Sequence, residues 1–149
     1  MAAEEVTRIR NIGIVGQGGV GKTLLADALI LAAGGATRLG RTDDGTSLFD
    51  IEPEEIRRKI TITSALHHVG WRKHELTIVD TPGYAVFLAE TRAALGALTG
   101  AILVLSPHGE VKVELERVFA WCGELGVPVI GFMSRLDRES VERCPTAQH

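Results

Sequence analysis

Three things are scarce in this sequence: cysteine, any excess of Lys and Arg, and long unbroken apolar stretches. Each shortage closes off a class of protein. The two cysteines, Cys122 and Cys144, have no metal-ligand spacing and too small a number to frame a disulfide scaffold, so they read as reduced and structural. The formal net charge is -3, which gives no electrostatic reason for direct, non-specific nucleic-acid binding. The longest uncharged stretch, 93–109, is broken by Gly96, Gly100 and Pro107 and falls short of a membrane span. The N-terminus carries Glu4 and Glu5 where a secretory signal would carry base, and no apolar segment follows it. A cytosolic protein with no membrane partner is expected.

What remains is an ordinary composition, 45% hydrophobic and 23% charged, which favours neither disorder nor a fibrous repeat. At 149 residues the chain has the length of one domain, enough to bury roughly two thirds of the surface of its unfolded form. A strand is expected over 8–15, ending at a glycine cluster, and a helix from Lys22 that carries Leu24, Leu25, Ala28, Leu29 and Ala32 on one face. Residues 36–59 show no sustained period and read as a mobile surface segment with one helical turn over Pro53 to Arg58. Within it, Glu52 to Lys59 reads as a solvated helix. Ile60 to Thr63 alternates like a half-exposed strand, with Glu75 to Val79 as its antiparallel hairpin partner across a turn at 70–74, whose end Trp71 covers.

Beyond Asp80 the pattern becomes helix (87–98), strand (101–105), helix (111–125) and strand (127–133). In the second of these helices Val111, Leu115, Val118, Cys122 and Leu125 share a face. Strands alternating with crossover helices imply an α/β chain with a mostly parallel sheet covered on both sides and one antiparallel hairpin strand. His67 and His68 have no partner identifiable from sequence, and no chemistry is assigned to them.

One segment carries most of the chemistry. Gly16-Gln17-Gly18-Gly19-Val20-Gly21-Lys22-Thr23 fits G-x-x-x-x-G-K-[ST] and falls between a predicted strand and a predicted helix, the context the motif requires. Its glycines let successive N–H groups face one phosphate, and the helix N-terminus adds its positive dipole end. Lys22 is expected to reach the β- and γ-phosphates, and the Thr23 hydroxyl to ligate magnesium. The motif does not choose between ATP and GTP. The stretch is close to the Lys-Gly-Gly-Val-Gly-Lys-Thr signature of deviant-Walker partitioning ATPases, although position 17 is Gln, and it also resembles the loop of Ras-type small GTPases.

Asp80-Thr81-Pro82-Gly83 closes the strand before it and resembles the D-x-x-G switch of GTPases, in which the Asp supports magnesium through a water and the Gly N–H senses the γ-phosphate. Together with Glu55-Ile-Arg-Arg-Lys-Ile-Thr61 and the Leu136-Asp137 that follows the last strand, these residues resemble the G domain of elongation factor G and its paralogues, over about 10–139. The resemblance implies a three-layer P-loop NTPase fold, guanine nucleotide and magnesium as cofactors, hydrolysis of GTP to GDP and phosphate, and the ribosome as partner. It divides the chain into an N-terminal extension (1–8), a GTP-binding core (9–139) and an irregular tail (140–149). Thr61 inherits the family's magnesium-closing threonine, and Ser134, Arg135 and Asp137 take the places of the base-reading Asn-Lys-x-Asp.

Departures from the family pattern are concentrated at the site. Tyr84 stands where a water-positioning His is usual, Gly18 and Gly19 where an apolar and then an acidic residue are usual, and Lys59 where a Gly is usual. A neutral phenol supplies one donor and no cation. Slow intrinsic hydrolysis is therefore expected, with Lys22, Thr61, Gly83 and Tyr84 as the catalytic set. Asp137 can still accept from the guanine N1 and N2 donors, and guanine preference is expected to survive with reduced affinity. Two alternatives remain: a nucleotide-dependent binding switch with little turnover, and a partitioning-type ATPase. The last strand and helix usual in a GTPase core are not found after Asp137. The strand over 127–133 is thus expected as an unprotected edge, in a sequence that is truncated, part of a longer factor or paired there with another molecule.

Overall fold

Strand β1 (Ile9–Val15) runs through the middle of a five-stranded sheet and carries its buried end straight into the glycine loop. The computed structural model describes residues 6–107 and 111–137, so Cys144 and the tail over 140–149 lie outside the described residues. Around β1 the order is β2 (Ala65–Trp71), β3 (His74–Asp80), β1, β4 (Gly100–Leu105), β5 (Val129–Met133). β1 pairs in parallel with β3 and β4, β4 with β5, and the β2–β3 pair alone is antiparallel. The expected α/β architecture is the one found.

Alternation along the strands builds two cores. Ile14 of β1 joins Ile78, Val104 and the Ala26 and Ile30 of helix α1 (Lys22–Ala32). Its neighbour Val15 faces the other way, into Ala101 and Leu103, Leu88 and Leu95 of α3 (Leu88–Leu95), and Leu115, Val118 and Cys122 of α4 (Val113–Glu124). Side chains that alternate with period two send one set to each side, and the helices cover both, giving three layers. Among the described residues no helix is long and apolar enough to cross a membrane.

Several boundaries differ from the sequence pattern for identifiable reasons. In α1 the buried positions are Lys22, Ala26, Asp27 and Ile30, while Leu24 is 48% exposed. Leu24, Leu25 and Ala28 border a cavity, and Leu25 and Leu29 are only partly buried against the first core, so the buried face is shifted from the expected one. Val111 and Leu125 are exposed, so the α4 stripe narrows to Leu115, Val118 and Cys122. The helix expected over 87–98 is the shorter α3, preceded by a 3-10 turn at Ala85–Phe87. β5 is one of the two outer strands, with Ile130, Phe132 and Met133 exposed.

The largest correction concerns residues 36–63. Far from a free surface segment, this stretch is docked at three points: Phe49 is 1% exposed within the first core, the Leu48 amide donates to the Asp27 carboxylate (3.0 Å), and Glu55 is fully buried. Glu55 belongs to the short helix α2 (Pro53–Arg58), read from sequence as solvated, yet it holds five donors. Its Oε2 accepts from the amides of Ile51 (3.1 Å) and Glu52 (3.0 Å). Its Oε1 accepts from the amides of Ile62 (2.8 Å) and Thr63 (3.0 Å) and from the Thr63 hydroxyl (3.3 Å). These bonds explain why Ile60 to Thr63 is not a strand. A ladder needs the amides that the carboxylate has taken, so β2 starts at Ala65 and pairs with β3 from Ala65↔Asp80 to Trp71↔His74. Arg72 and Lys73 close that hairpin with φ of 44° and 67°, the left-handed pair of a type I′ turn, and the Arg72 guanidinium lies 4.6 Å from the centre of the Trp71 ring.

Burial pushes the Glu55 carboxyl up, but the backbone donors outweigh it and hold its pKa below the ordinary 4.5. Its contribution to stability is thus complete above about pH 4.5 and is lost as pH falls through the lower folded value. Glu55→Gln presents an amide nitrogen to two backbone donors, and is expected to cost about 2–4 kcal/mol in urea unfolding at pH 7. The gap between the two proteins is expected to shrink as pH falls below 4.5. At the end of α2, Lys59 sits at φ 56°, in the left-handed region that a glycine occupies without strain. Lys59→Gly is expected to raise stability by about 1 kcal/mol in the same measurement.

Candidate functional site

The loop from Gly16 to Gly21 turns the chain from β1 into α1. It does so with Gly16, Gly19 and Gly21 at φ of 143°, 76° and 95°. Such angles are open to glycine and strained for other residues. The turn places Lys22 and Thr23 in the first turn of α1, beneath a cavity of about 660 Å3. Of the residues expected at the site, Gly18, Gly19, Val20, Gly21, Lys22, Thr23, Thr61, Gly83, Tyr84, Ser134, Arg135 and Asp137 line this cavity. Gly16, Gln17 and Asp80 are outside that lining. Arg41, Thr42, Asp43, Lys59 and Ile60 add a wall from the docked segment that the sequence reading had assigned no role.

Under the floor, three distant segments meet on one carboxylate. Asp80, at the end of β3, is fully buried, and its Oδ2 accepts from the Thr23 hydroxyl at 2.6 Å and the Thr61 hydroxyl at 3.3 Å. The two hydroxyl oxygens are 3.1 Å apart. Asp80 Oδ1 is buried with no hydrogen-bond partner among the described residues. Burial raises the Asp80 pKa to about 6, against the pull of the Lys22 charge and the two threonine hydroxyls. Lys22 is shifted the opposite way, downward by burial, with the nearby Asp80 charge opposing; its Nζ donates to the Gln17 carbonyl at 3.1 Å.

The donors converging here are all oxygens, and one of them lacks a partner, which suits a hard divalent cation such as magnesium. Among the described residues there is no group of three His, Cys, Asp or Glu able to hold a metal by itself. A cation at this point would lean on the two hydroxyls, Asp80 and the oxygens of a bound phosphate.

Gly83 is wedged against the loop: a Cβ there would strike the Lys22 ammonium and come within 2.6 Å of the Gly16 oxygen and the Gln17 carbonyl carbon. Two residues that the sequence reading missed hold it in that position. Thr81 donates its amide (3.3 Å) and hydroxyl (2.9 Å) to the Ile14 carbonyl, and the buried Thr91 of α3 donates its hydroxyl to the Pro82 carbonyl at 2.7 Å. Glu55, also missed, fixes the amides immediately after Thr61. Its signal was present as a Glu three residues into a Pro-initiated helix, the spacing of a capping box.

On the far wall, the Ser134 hydroxyl is within donor range of the Val20 carbonyl (2.7 Å) and the Leu105 carbonyl (2.9 Å), tying the end of β5 to the glycine loop. A serine is shorter than the Asn usual at this place, yet it spans the loop and β4. Arg135 follows with φ 57°, and Asp137 is exposed at the rim. Elsewhere, His68 makes a contact that sequence did not suggest, an exposed pair with Glu75 at 2.9 Å.

Comparison with known proteins bears on the family and the fold. The profile of the elongation factor Tu GTP-binding domain matches residues 7–148. Elongation factor G 2 of Syntrophus aciditrophicus is 36% identical over 133 residues, covering 89% of this chain and 20% of that protein. The mitochondrial ribosome-releasing factor 2 of Yarrowia lipolytica is 34% identical, over 92% of this chain and 17% of its own length. A protein of Thermus thermophilus with a crystal structure superposes with a TM-score of 0.79 at 33% identity, over 85% of this chain and 19% of that one. A bacterial selenocysteine-specific elongation factor, at 21% identity and a TM-score of 0.63, shares the fold. The chain spans about a fifth of the length of these relatives. With the profile matching nearly its whole length, the chain belongs to the elongation factor Tu GTP-binding domain family.

Proposed function

We propose that this chain is the GTP-binding domain of an elongation factor G-like translational GTPase, binding GTP with magnesium and hydrolysing it slowly to GDP and phosphate. The observation that carries the reading is the meeting of Thr23, Thr61 and Asp80 within 3.3 Å beneath a glycine loop, with Lys22 at its end. Residues 9–139 form the nucleotide-binding core, 1–8 an extension and 140–149 a tail. The amides of Gly16 to Thr23 and the Lys22 ammonium neutralise the phosphates, which in phosphoryl transfer is most of the catalytic task. Thr23 and Thr61 would hold magnesium directly and Asp80 through a water, the ion supplying charge neutralisation between the outer phosphates when bound. The Gly83 amide faces the γ-phosphate, Tyr84 stands by the attacking water, and Asp137 accepts from guanine, with Arg135 over the base and Ser134 holding the loop. The ribosome is the partner on the strength of what the relatives are called, and the cytosol is proposed as the place of action. The net charge of -3 argues against non-specific RNA binding as the route to it.

A second reading, a nucleotide switch with scarcely any turnover, is favoured by one feature: Tyr84 takes the place of an imidazole and offers a neutral phenol. Single-turnover phosphate release, with and without ribosomes, separates the two. A partitioning-type ATPase is disfavoured by Gln17 and by Asp137 at the base position.

Titration with a fluorescent guanine nucleotide is expected to show magnesium-dependent binding that unlabelled GTP displaces and ATP does not. Chelating the magnesium is expected to weaken triphosphate binding at least about tenfold, and Lys22→Ala to lower affinity by about 100-fold or more through loss of a buried charge-assisted contact. Folded protein that ignores guanine nucleotides under all these conditions would overturn the reading. In the same assay, Asp80→Asn is expected to reduce the magnesium dependence by removing the charge that supports the cation, with triphosphate affinity lowered about tenfold.

A further inference from the structure

Backbone conformation accounts for three of the loop glycines. Gly16, Gly19 and Gly21 all have φ well into the positive region. Gly18 does not, so the backbone at that position would accept any residue. What excludes a side chain there is Tyr84. A Cβ on Gly18 would stand 2.7 Å from ring atoms Cε1 and Cζ and 2.9 Å from Cδ1, closer than non-bonded carbons pack. A Cβ on Gly19 would lie 4.0 Å from the phenol oxygen. The ring therefore rests on the bare backbone of 18–19 with its hydroxyl toward Gly19, and it lines the same cavity as Gly18 to Thr23.

Tyr84 is anchored from both sides. Gly83 is wedged against Gly16 and Gln17, and the Tyr84 carbonyl accepts from the Phe87 amide at 2.9 Å. Still, 39% of the residue is exposed, so one side of it stays available to an occupant of the cavity. The tyrosine and the two glycines form one complementary set.

We propose that Tyr84 is a positioning residue that seals the phosphate loop over Gly18 and thereby controls how fast a bound guanosine triphosphate leaves. The ring shields the loop amides from water, which strengthens their bonds to phosphate oxygens, and the phenol adds one neutral donor beside Gly19. This rests on the loop binding nucleotide as proposed above.

A double-mutant cycle reads the coupling: dissociation of a fluorescent, non-hydrolysable GTP analogue, with magnesium, from the wild-type protein, Gly18→Ala, Tyr84→Ala and the double variant. Gly18→Ala and Tyr84→Ala are each expected to speed release by about tenfold, and the double variant to match Tyr84→Ala within about twofold, because the atoms nearest the new methyl all belong to the ring that is then gone. Effects that multiply toward about 100-fold, or a Gly18→Ala rate equal to wild type, overturn the proposal. A second readout is independent of any variant folding. Tyr84 is the chain's single tyrosine, so nitration by tetranitromethane reports on this ring alone. Bound analogue is expected to slow nitration severalfold; an unchanged rate counts against the seal. If the wild-type protein takes up no nucleotide, the functional reading falls and this inference with it, whereas binding without coupling sinks this inference alone.

Discussion

A carboxylate taken completely out of water must find donors or a proton, and the Asp80 carboxylate finds donors from two other parts of the chain. Thr23, at the start of α1, and Thr61, after α2, both aim hydroxyls at the same Oδ2. The consequence is architectural: the end of β3, the glycine loop and the docked segment cannot be placed independently. The Lys22 charge nearby limits how far burial can raise the Asp80 pKa, leaving it at about 6. Its second oxygen has no partner among the described residues, so the cluster is assembled as a protein feature yet still has capacity for a ligand.

Two of the three segments meeting there, and the switch glycine after β3, are each fixed by a second, quieter contact. β3 delivers Asp80 because its register with β1 is set in parallel from Ile9↔Glu75 to Ile14↔Asp80, and Thr81 then extends the pairing by bonding the Ile14 carbonyl. The segment bearing Thr61 is held by Glu55, whose carboxylate binds amides on both sides of it. The switch glycine is held by Thr91 reaching the Pro82 carbonyl from α3. A site made of short loops thus derives its precision from buried polar side chains in flanking elements. Such side chains specify a geometry well because leaving any one of them unpaired is costly.

The segment over 36–59 shows how a stretch without periodicity can still be structured. It contributes no strand and two brief helical turns, so nothing repeats for a pattern search to detect. Its order comes from single anchors: Phe49 in the core, Leu48 bonded to Asp27, and Glu55 in its ring of donors. Lys59 carries a left-handed backbone at the end of α2, a strained local choice that the neighbouring bonds of Ile60, Ile62 and Thr63 impose. It is also the stretch whose Arg41, Thr42, Asp43 and Lys59 border the cavity.

What the sequence by itself determined was the layered α/β plan, the parallel sheet with one antiparallel strand, and the phosphate loop with its lysine and threonine. These follow from local rules: apolar runs of strand length, helical periodicity, and glycines where backbone must curl. Tertiary structure decided what depends on partners distant in sequence. It turned Ile60 to Thr63 from a candidate strand into a segment clamped by Glu55. It selected Ala26 and Ile30 over Leu24 as the buried face of α1, and it set Tyr84 against Gly18, a glycine that its own backbone did not require. In each case the deciding atom lies on another element, and no local pattern of one chain records which side chain will be nearest when the elements pack.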